Sequence, residues 1–419
     1  SGRRDDPADS GRARGRVMHI VVVGNSIAAD CLLAALSQRR QSASMSITVI
    51  GSEPHPAYNR VLLSQVLAGE LSTDDIGLRS QAWYEQNGID IRSGAKVAQI
   101  NRTAQTVQCD TGDSIAYDKL VLATGARARL PTGNAPPLKG IKVFRTLDDA
   151  AALSNSPKGT HTVVFGGGLL GLEAAAGLLA QGLEVTLVHR NDWLLNRQLD
   201  PEAGALLLSN LQARGLQVEL GAELVAIEGD ASLTGVTLSN GKRLAAEQVV
   251  FATGIQPRTE LAVAAKLEVN RGVVVDAHMQ TRDRNIFALG ECAEVAGETV
   301  GLVPPIRDQA TALANTLLCR PAGGYSKRDH AAQLKIAGID VFSAGDVNTQ
   351  SEHVILYDDP LTPARRKLVL EDGKLKAIML YGDVRDGPWL HSLMVNGTDT
   401  HALRDRLLFG KAYCEGLAA

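Results

Sequence analysis

Two stretches of this chain carry the residue types that bind a pyrophosphate. In residues 19–29 an apolar run, Ile20 to Val23, feeds Gly24, with Ser26 and Ala29 where a GxGxxG turn has its second and third glycines. In residues 162–173 the turn is complete: Gly166, Gly168 and Gly171 lead from an apolar run into a Leu/Ala-rich helical stretch that carries Glu173. The chemistry asks for these types. Glycines let the backbone approach the phosphates, and the helix N-terminus offers unpaired N–H groups and its dipole to the charge. Ser26 crowds a pyrophosphate slightly unless its hydroxyl bonds a phosphate oxygen. Each turn is answered by an Ala-Thr-Gly strand end, Thr124 and Gly125 after the first, Thr253 and Gly254 after the second. Two nucleotides bound at once in one chain point to electron transfer between them.

The degraded first turn is supported by an acid downstream of it. After a helix over residues 31–39 and a second strand over 46–51 comes Glu53, about thirty residues beyond Gly24. A carboxylate there takes the two ribose hydroxyls of an adenosine; the alternative is a solvated loop acid.

Composition narrows the remaining classes. At 419 residues the chain suits two or three domains, with 45% hydrophobic and 21% charged residues, ordinary globular usage. A formal charge of −3 argues against general binding to nucleic acid or an anionic membrane. No apolar run approaches the roughly twenty residues of a membrane span. Five scattered cysteines, Cys31, Cys109, Cys292, Cys319 and Cys414, form no CxxC pair, so neither a redox dithiol nor a metal site is expected; such a set suits a reducing, cytoplasmic setting. Residues 1–17 are polar and lack periodicity, and are expected to be a cloning remnant or a disordered extension before Met18.

The elements that must position these residues alternate strand and helix through most of the chain, which implies parallel sheets flanked by helices. A Pro/Gly-rich loop over 131–140 leaves the first sheet. A hairpin over 233–244 turns at Asn240 and Gly241. From about Tyr325 the pattern becomes antiparallel: strands over 334–342, 353–357, 366–370 and 375–381, a tight turn through Asp372 and Gly373, and a final helix near 401–409. The pair Trp389 and Leu390 reads as exposed, a docking patch for a partner or packing against another surface.

This order of turns and strand ends, with a late Gly290-Glu291-Cys292-Ala293 and an α+β tail, resembles the two-dinucleotide flavoprotein reductases, which include glutathione, rubredoxin and ferredoxin reductases. The resemblance covers essentially everything after Met18. Residues 53–64, 196–200 and 334–341 are similar to the flavin part of assimilatory nitrite reductases and to the small electron-transfer subunit of assimilatory nitrate reductases. The resemblance implies an α/β fold of two Rossmann-like, glutathione-reductase-like dinucleotide-binding domains plus a small C-terminal α+β domain. The FAD domain would comprise residues 18–146 and 257–324, the NAD(P)H domain 147–256, and an interface domain 325–419.

Carried onto this chain, the resemblance implies that Gly24, Ser26, Ala29 and Glu53 hold the adenosine diphosphate of FAD. Thr124 and Gly125 would line its cleft, and Gly290 and Glu291 would meet the ribityl chain. Arg60 would neutralise a flavin phosphate, face the ring, or make only a loop salt bridge. Gly166, Gly168 and Gly171, backed by Thr253 and Gly254, would bind NAD(P)H, with Glu173 near the nicotinamide or on the helix surface. Relatives specific for NAD end the strand over 184–190 with an acid. Here His189 and Arg190 supply none, and Arg190 can fork onto a 2′-phosphate, which leans toward NADPH and leaves NADH open.

Residues 60–68 hold no cysteine, and Gln65 stands where many ferredoxin-type reductases carry Lys. The expected reaction is hydride transfer from NAD(P)H to FAD and electron delivery to an iron–sulfur or molybdenum-containing reductase subunit. The iron–sulfur and sirohaem domains of full nitrite reductases need cysteine clusters that are absent here, so delivery, not nitrite reduction, is expected. A rubredoxin, ferredoxin or nitric-oxide-system reductase is the enzymatic alternative, and a flavin-binding redox-sensing interaction protein the alternative of another class. A homodimer or hetero-complex is open.

Overall fold

The computed structural model describes residues 17–39, 45–130, 138–336, 338–359 and 361–415. Residues 1–16 of the expected N-terminal extension, and residues 131–137 of the Pro/Gly loop, lie outside them. The chain divides into two compact units. One comprises Ser1–Tyr58, Leu78–Gly125 and Pro257–Ser326; the other comprises Asn59–Gly77, Ala126–Gln256 and Lys327–Ala419.

The first unit is built on a five-stranded parallel sheet in the order Ile286–Ala288, Lys119–Leu122, Met18–Val23, Met45–Gly51, Ile89–Ser93. Its inner strands are rich in Val, Ile and Leu, as burial on both faces requires, whereas the edge strand Ile89–Ser93 is half polar. The helices Ile27–Arg39 and Val303–Leu317 pack on one another and supply Leu32, Leu36, Ala310 and Leu313 to the core. A three-stranded antiparallel ribbon, Val97–Asn101, Thr106–Cys109 and Ser114–Ala116, follows the last sheet strand of the N-terminal half.

The second unit repeats the plan. Its five parallel strands run in the order Gln217–Leu220, Glu184–His189, His161–Phe165, Gln248–Phe251, Ile141–Val143. The hairpin expected at Gly241 is there, joined by a third strand, Leu224–Gly229, and its apolar face shares a core with the main sheet through Phe165, Phe251, Val236 and Leu238.

The C-terminal region of this unit is a five-stranded antiparallel sheet: Ala332–Ile336, Ile339–Ala344, Lys374–Tyr381, Ala364–Glu371, His353–Asp359. Three sequence expectations change here. The single strand over 334–342 is two strands, because Gly338 takes φ +81° and reverses the chain. The segment 401–409 is a 3₁₀ helix, and a nine-residue α-helix, Gly387–Val395, precedes it. Leu390 on that helix is 1% exposed and belongs to the core with Phe342, Leu368 and Leu380, and Trp389 packs partly against the same cluster. The pair is therefore mainly an anchor for its own helix rather than an exposed patch.

Candidate functional site

In the first unit the strand Met18–Val23 ends in Gly24, whose φ of +113° admits no ordinary side chain. A Cβ there would overlap the carbonyl of Ala123, at the neighbouring Ala-Thr-Gly strand end. Ser26 begins the next helix, its carbonyl accepting from the amide of Asp30. Ala29, fully buried, occupies the third glycine position. Gly290, at φ +78°, lies close enough to this helix start that a Cβ would come within 2.7 Å of Ala28 Cβ. Glu291 is next in the chain, with Oε2 3.8 Å from where a Cβ on Gly125 would sit. Thr124 donates its hydroxyl to the Arg258 carbonyl at 2.8 Å. The first turn, its strand end and the late Gly-Glu pair are thus brought together, as their separate places in the sequence could not require.

Three features of this unit were not legible as motifs. Tyr58 donates to Glu53 Oε2 at 2.6 Å and so fixes the carboxylate expected to meet a ribose. Gln309, fully buried, accepts from the Gly290 amide at 2.8 Å and leaves its Nε2 without a hydrogen-bond partner. Both amide atoms of Asn25, inside the turn, are buried without partners. Buried polar atoms are normally satisfied; unsatisfied ones beside a glycine turn fit a polar ligand. Cys292 donates weakly to the carbonyls of Leu122 and Leu289, and burial pushes its thiol up, as it does those of Cys31 and Cys109. None of these three is an activated thiolate.

The second unit holds the complete turn. Gly166 takes φ +120°, and a Cβ on it would overlap the Ala252 carbonyl, the same construction as at Gly24 and Ala123. Gly171 packs its helix so close that a Cβ would overlap the Gly166 carbonyl. Gly168, the N-cap of the helix Leu169–Ala180, has nothing within 4 Å of its Cβ position, and neither has Gly254. Two glycines serve the backbone and one leaves open space in front of a helix N-terminus, a cradle that fits a pyrophosphate. Thr253 donates to the Arg129 carbonyl at 3.3 Å.

His189 and Arg190 end the strand Glu184–His189 and diverge. His189 is 8% exposed, and its Nδ1 accepts from the Gly167 amide at 3.1 Å. Burial holds the imidazole below its usual range, with the Arg190 charge acting in the same direction. The ring is therefore neutral, with its proton on Nε2. Arg190 is exposed.

Glu173 lies one turn inside the helix Leu169–Ala180 and is half-buried. Burial pushes its carboxyl up to about 7, and a hydrogen bond from Ser64 pulls it partly back. The contact arises because the short helix Leu63–Leu67 packs on the Glu173 helix where Gly177 leaves room for Leu67. Arg60, also in this unit, donates to the Arg145 carbonyl at 3.0 Å. The expected site residues thus fall in both units: Gly24, Ser26, Ala29, Glu53, Thr124, Gly125, Gly290 and Glu291 in the first, and the remainder in the second. Among the described residues no His, Cys, Asp or Glu group could hold a metal ion, and no helix is long and apolar enough to cross a membrane.

Residues 18–311 match the pyridine nucleotide-disulphide oxidoreductase family, and residues 331–398 match the rubredoxin NAD+ reductase C-terminal domain. The assimilatory nitrate reductase electron transfer subunit of Bacillus subtilis (strain 168) is 38% identical over 393 residues, covering 93% of this chain and 51% of that one. The nitrite reductase [NAD(P)H] of the same organism is 37% identical over 382 residues, 91% and 47%. The chain thus spans about half the length of these curated relatives. Among solved structures, the covalent putidaredoxin reductase–putidaredoxin complex aligns with a TM-score of 0.84 at 25% identity, over 96% of this chain and 99% of that one.

Proposed function

Because the chain belongs to the pyridine nucleotide-disulphide oxidoreductase family, we propose that it is an NAD(P)H-dependent flavin reductase that passes electrons through FAD to a separate redox partner. The family and the reductases it resembles bind FAD and use NAD(P)H. The observation that carries the reading is the repeated construction at Gly24 and Gly166, each turning under the carbonyl of an Ala-Thr-Gly strand end, in two separate parallel-sheet units.

In this proposal residues 18–146 and 257–324 supply the FAD domain, apart from Asn59–Gly77 and residues 126–146, which pack in the second unit; residues 147–256 form the NAD(P)H domain and 325–419 an interface domain. Bound FAD supplies a ring that accepts a hydride and releases electrons one at a time. The chain's residues do the rest. Gly24, Ser26 and Ala29 bring the backbone to the FAD pyrophosphate, and Glu53, held by Tyr58, takes ribose hydroxyls. Glu291 and Gly290 orient the ribityl chain beside Thr124 and Gly125. Gly166, Gly168 and Gly171 seat the pyridine dinucleotide, with Gly254 leaving space and Thr253 holding the strand end. Glu173, whose carboxyl burial raises to about 7, holds or yields a proton near the nicotinamide.

The partner is an iron–sulfur or molybdenum-containing reductase subunit in cytoplasmic nitrate or nitrite assimilation, a reading supported by the two Bacillus relatives. The match of residues 331–398 and the likeness to putidaredoxin reductase favour a second reading, a rubredoxin- or ferredoxin-type acceptor. Purified protein should be yellow, release FAD rather than FMN, and turn over NADH or NADPH with ferricyanide. Rates with a purified molybdenum-containing nitrate reductase subunit against a ferredoxin separate the two acceptors. A colourless protein that FAD cannot reconstitute sinks the reading, and bound FAD without turnover would make it a redox-sensing interaction protein.

A further inference from the structure

The strand Glu184–His189 leads into a segment, residues 191–200, that has no regular structure of its own yet is fixed at both ends. At one end it grips the phosphate turn. The Gly167 amide donates to His189 Nδ1 at 3.1 Å, and the Gly167 carbonyl accepts from the Leu195 amide at 2.9 Å. Gly167 is held through both its amide and its carbonyl, and a Cβ on it would come within 2.5 Å of the His189 ring. Leu195, 1% exposed, takes φ +50°, a left-handed conformation that a branched side chain adopts only where surrounding bonds impose it. Its carbonyl then accepts from the Gln198 and Leu199 amides at 2.7 and 2.9 Å.

At the other end the same segment is held by the C-terminal sheet and by the turn that follows its strand Ile339–Ala344. Asn348 Nδ2 donates to the carbonyls of Asn196 and Leu199 at 3.0 and 3.5 Å. The Asp200 amide donates to the sulfur of Met379 at 3.3 Å. The Asp200 carboxylate, 1% exposed, is gripped by Nε and Nη2 of Arg365, whose Nη1 reaches Asp358 at 2.6 Å. All of these residues lie in the second unit. From Gly167 to Arg365 the chain of bonds has no gap.

We propose that residues 191–200 form a strut through which the C-terminal sheet holds the phosphate turn in register, so that Asn348 and Arg365 are positioning residues for pyridine-nucleotide binding although both belong to another layer of the unit. The inference rests on reading the Gly166 turn as the pyridine-nucleotide site. Its mechanism is simple. The turn's N–H groups bind a pyrophosphate only where their geometry is fixed, and here the fixing groups are the neutral ring of His189 and the backbone of Leu195, the latter bonded onward through Leu199 to Asn348 and, by way of Asp200, to Arg365. Contiguous packed networks of this kind transmit coupling between sites.

Two measurements on the full FAD-loaded protein test it, both using ADP-ribose as the probe. In the wild-type protein, hydrogen exchange should slow on ADP-ribose binding at the 166–171 turn, at 195–200 and along the strand Ala364–Glu371. Asn348→Asp keeps the size of the side chain but removes both donors; it should weaken ADP-ribose binding roughly three- to tenfold while leaving FAD content unchanged. Protection confined to the turn and its helix, with Asn348→Asp binding as wild type, overturns the strut. If Asn348→Asp does not fold, the wild-type exchange pattern decides alone. If the wild-type protein fails to bind ADP-ribose at all, the nucleotide reading of the Gly166 turn falls, and the strut with it.

Discussion

Glu173 is a carboxyl whose charge burial controls strongly. Its folded pKa is raised from 4.5 to about 7, so folding favours the protonated form. The stability this gives is fully present below about pH 4.5 and is lost as pH rises through about 7. Glu173→Gln should therefore remove a decline of about 1–3 kcal/mol in the unfolding free energy between those limits, read from urea midpoints across the pH series. A wild-type profile as steep as the variant's would place the titration elsewhere. Arg190 tests cofactor choice at the same scale. Being exposed at the end of its strand, it is free to meet a 2′-phosphate, whereas neutral, buried His189 carries no charge to do so. Arg190→Ala should weaken NADPH by about 1.5–3 kcal/mol and leave NADH almost unchanged; equal losses for both would remove Arg190 from phosphate recognition. Neither property was readable from the sequence, where the two side chains are adjacent and nothing marks their opposite burial.

At the scale of elements, the three glycines of the second turn have separable jobs. Gly168 takes a φ of −85° with open space at its Cβ, whereas Gly171 abuts the Gly166 carbonyl. Gly168→Ala should fold with an unchanged thermal midpoint yet bind ADP-ribose several-fold more weakly, because the added methyl fills the phosphate's approach. Gly171→Ala should lose about 1–3 kcal/mol of stability from overpacking between helix and strand. A thermal midpoint that falls equally in both variants would contradict this division. The turn itself was legible from spacing, as were the parallel strands and the tight hairpin at Asp372 and Gly373, where both residues take positive φ. The reversal at Gly338 was not, because a glycine within an alternating apolar run does not announce its φ. The helix Gly387–Val395 was missed for a related reason: nine residues opening on Gly-Pro show little periodicity, and its amphipathic face is defined by the sheet beneath it.

For the whole molecule, the C-terminal sheet is joined to the second nucleotide fold through buried charge. Removing one partner of such a pair strands the other without water. Arg365→Ala should cost about 3–5 kcal/mol in denaturant unfolding, since it leaves Asp200 buried at 1% exposure; a loss below about 1 kcal/mol would show that water or Lys367 compensates. Reductive titration should consume about two electrons per FAD, as one hydride supplies, and replacing all five cysteines should not change that number; a requirement for four would reveal a second redox centre. The sequence by itself determined the doubled dinucleotide fold, the glycine turns and the lack of a redox dithiol, because these depend on residue types at short, fixed spacing, where backbone sterics act locally. Only the tertiary structure decided which distant residues serve each turn. Gln309 at Gly290, Ser64 at Glu173 and Asn348 at Asn196 and Leu199 are ordinary polar residues with no motif, and their roles come from burial and hydrogen-bond partners that exist only once elements well separated in the chain have been packed side by side.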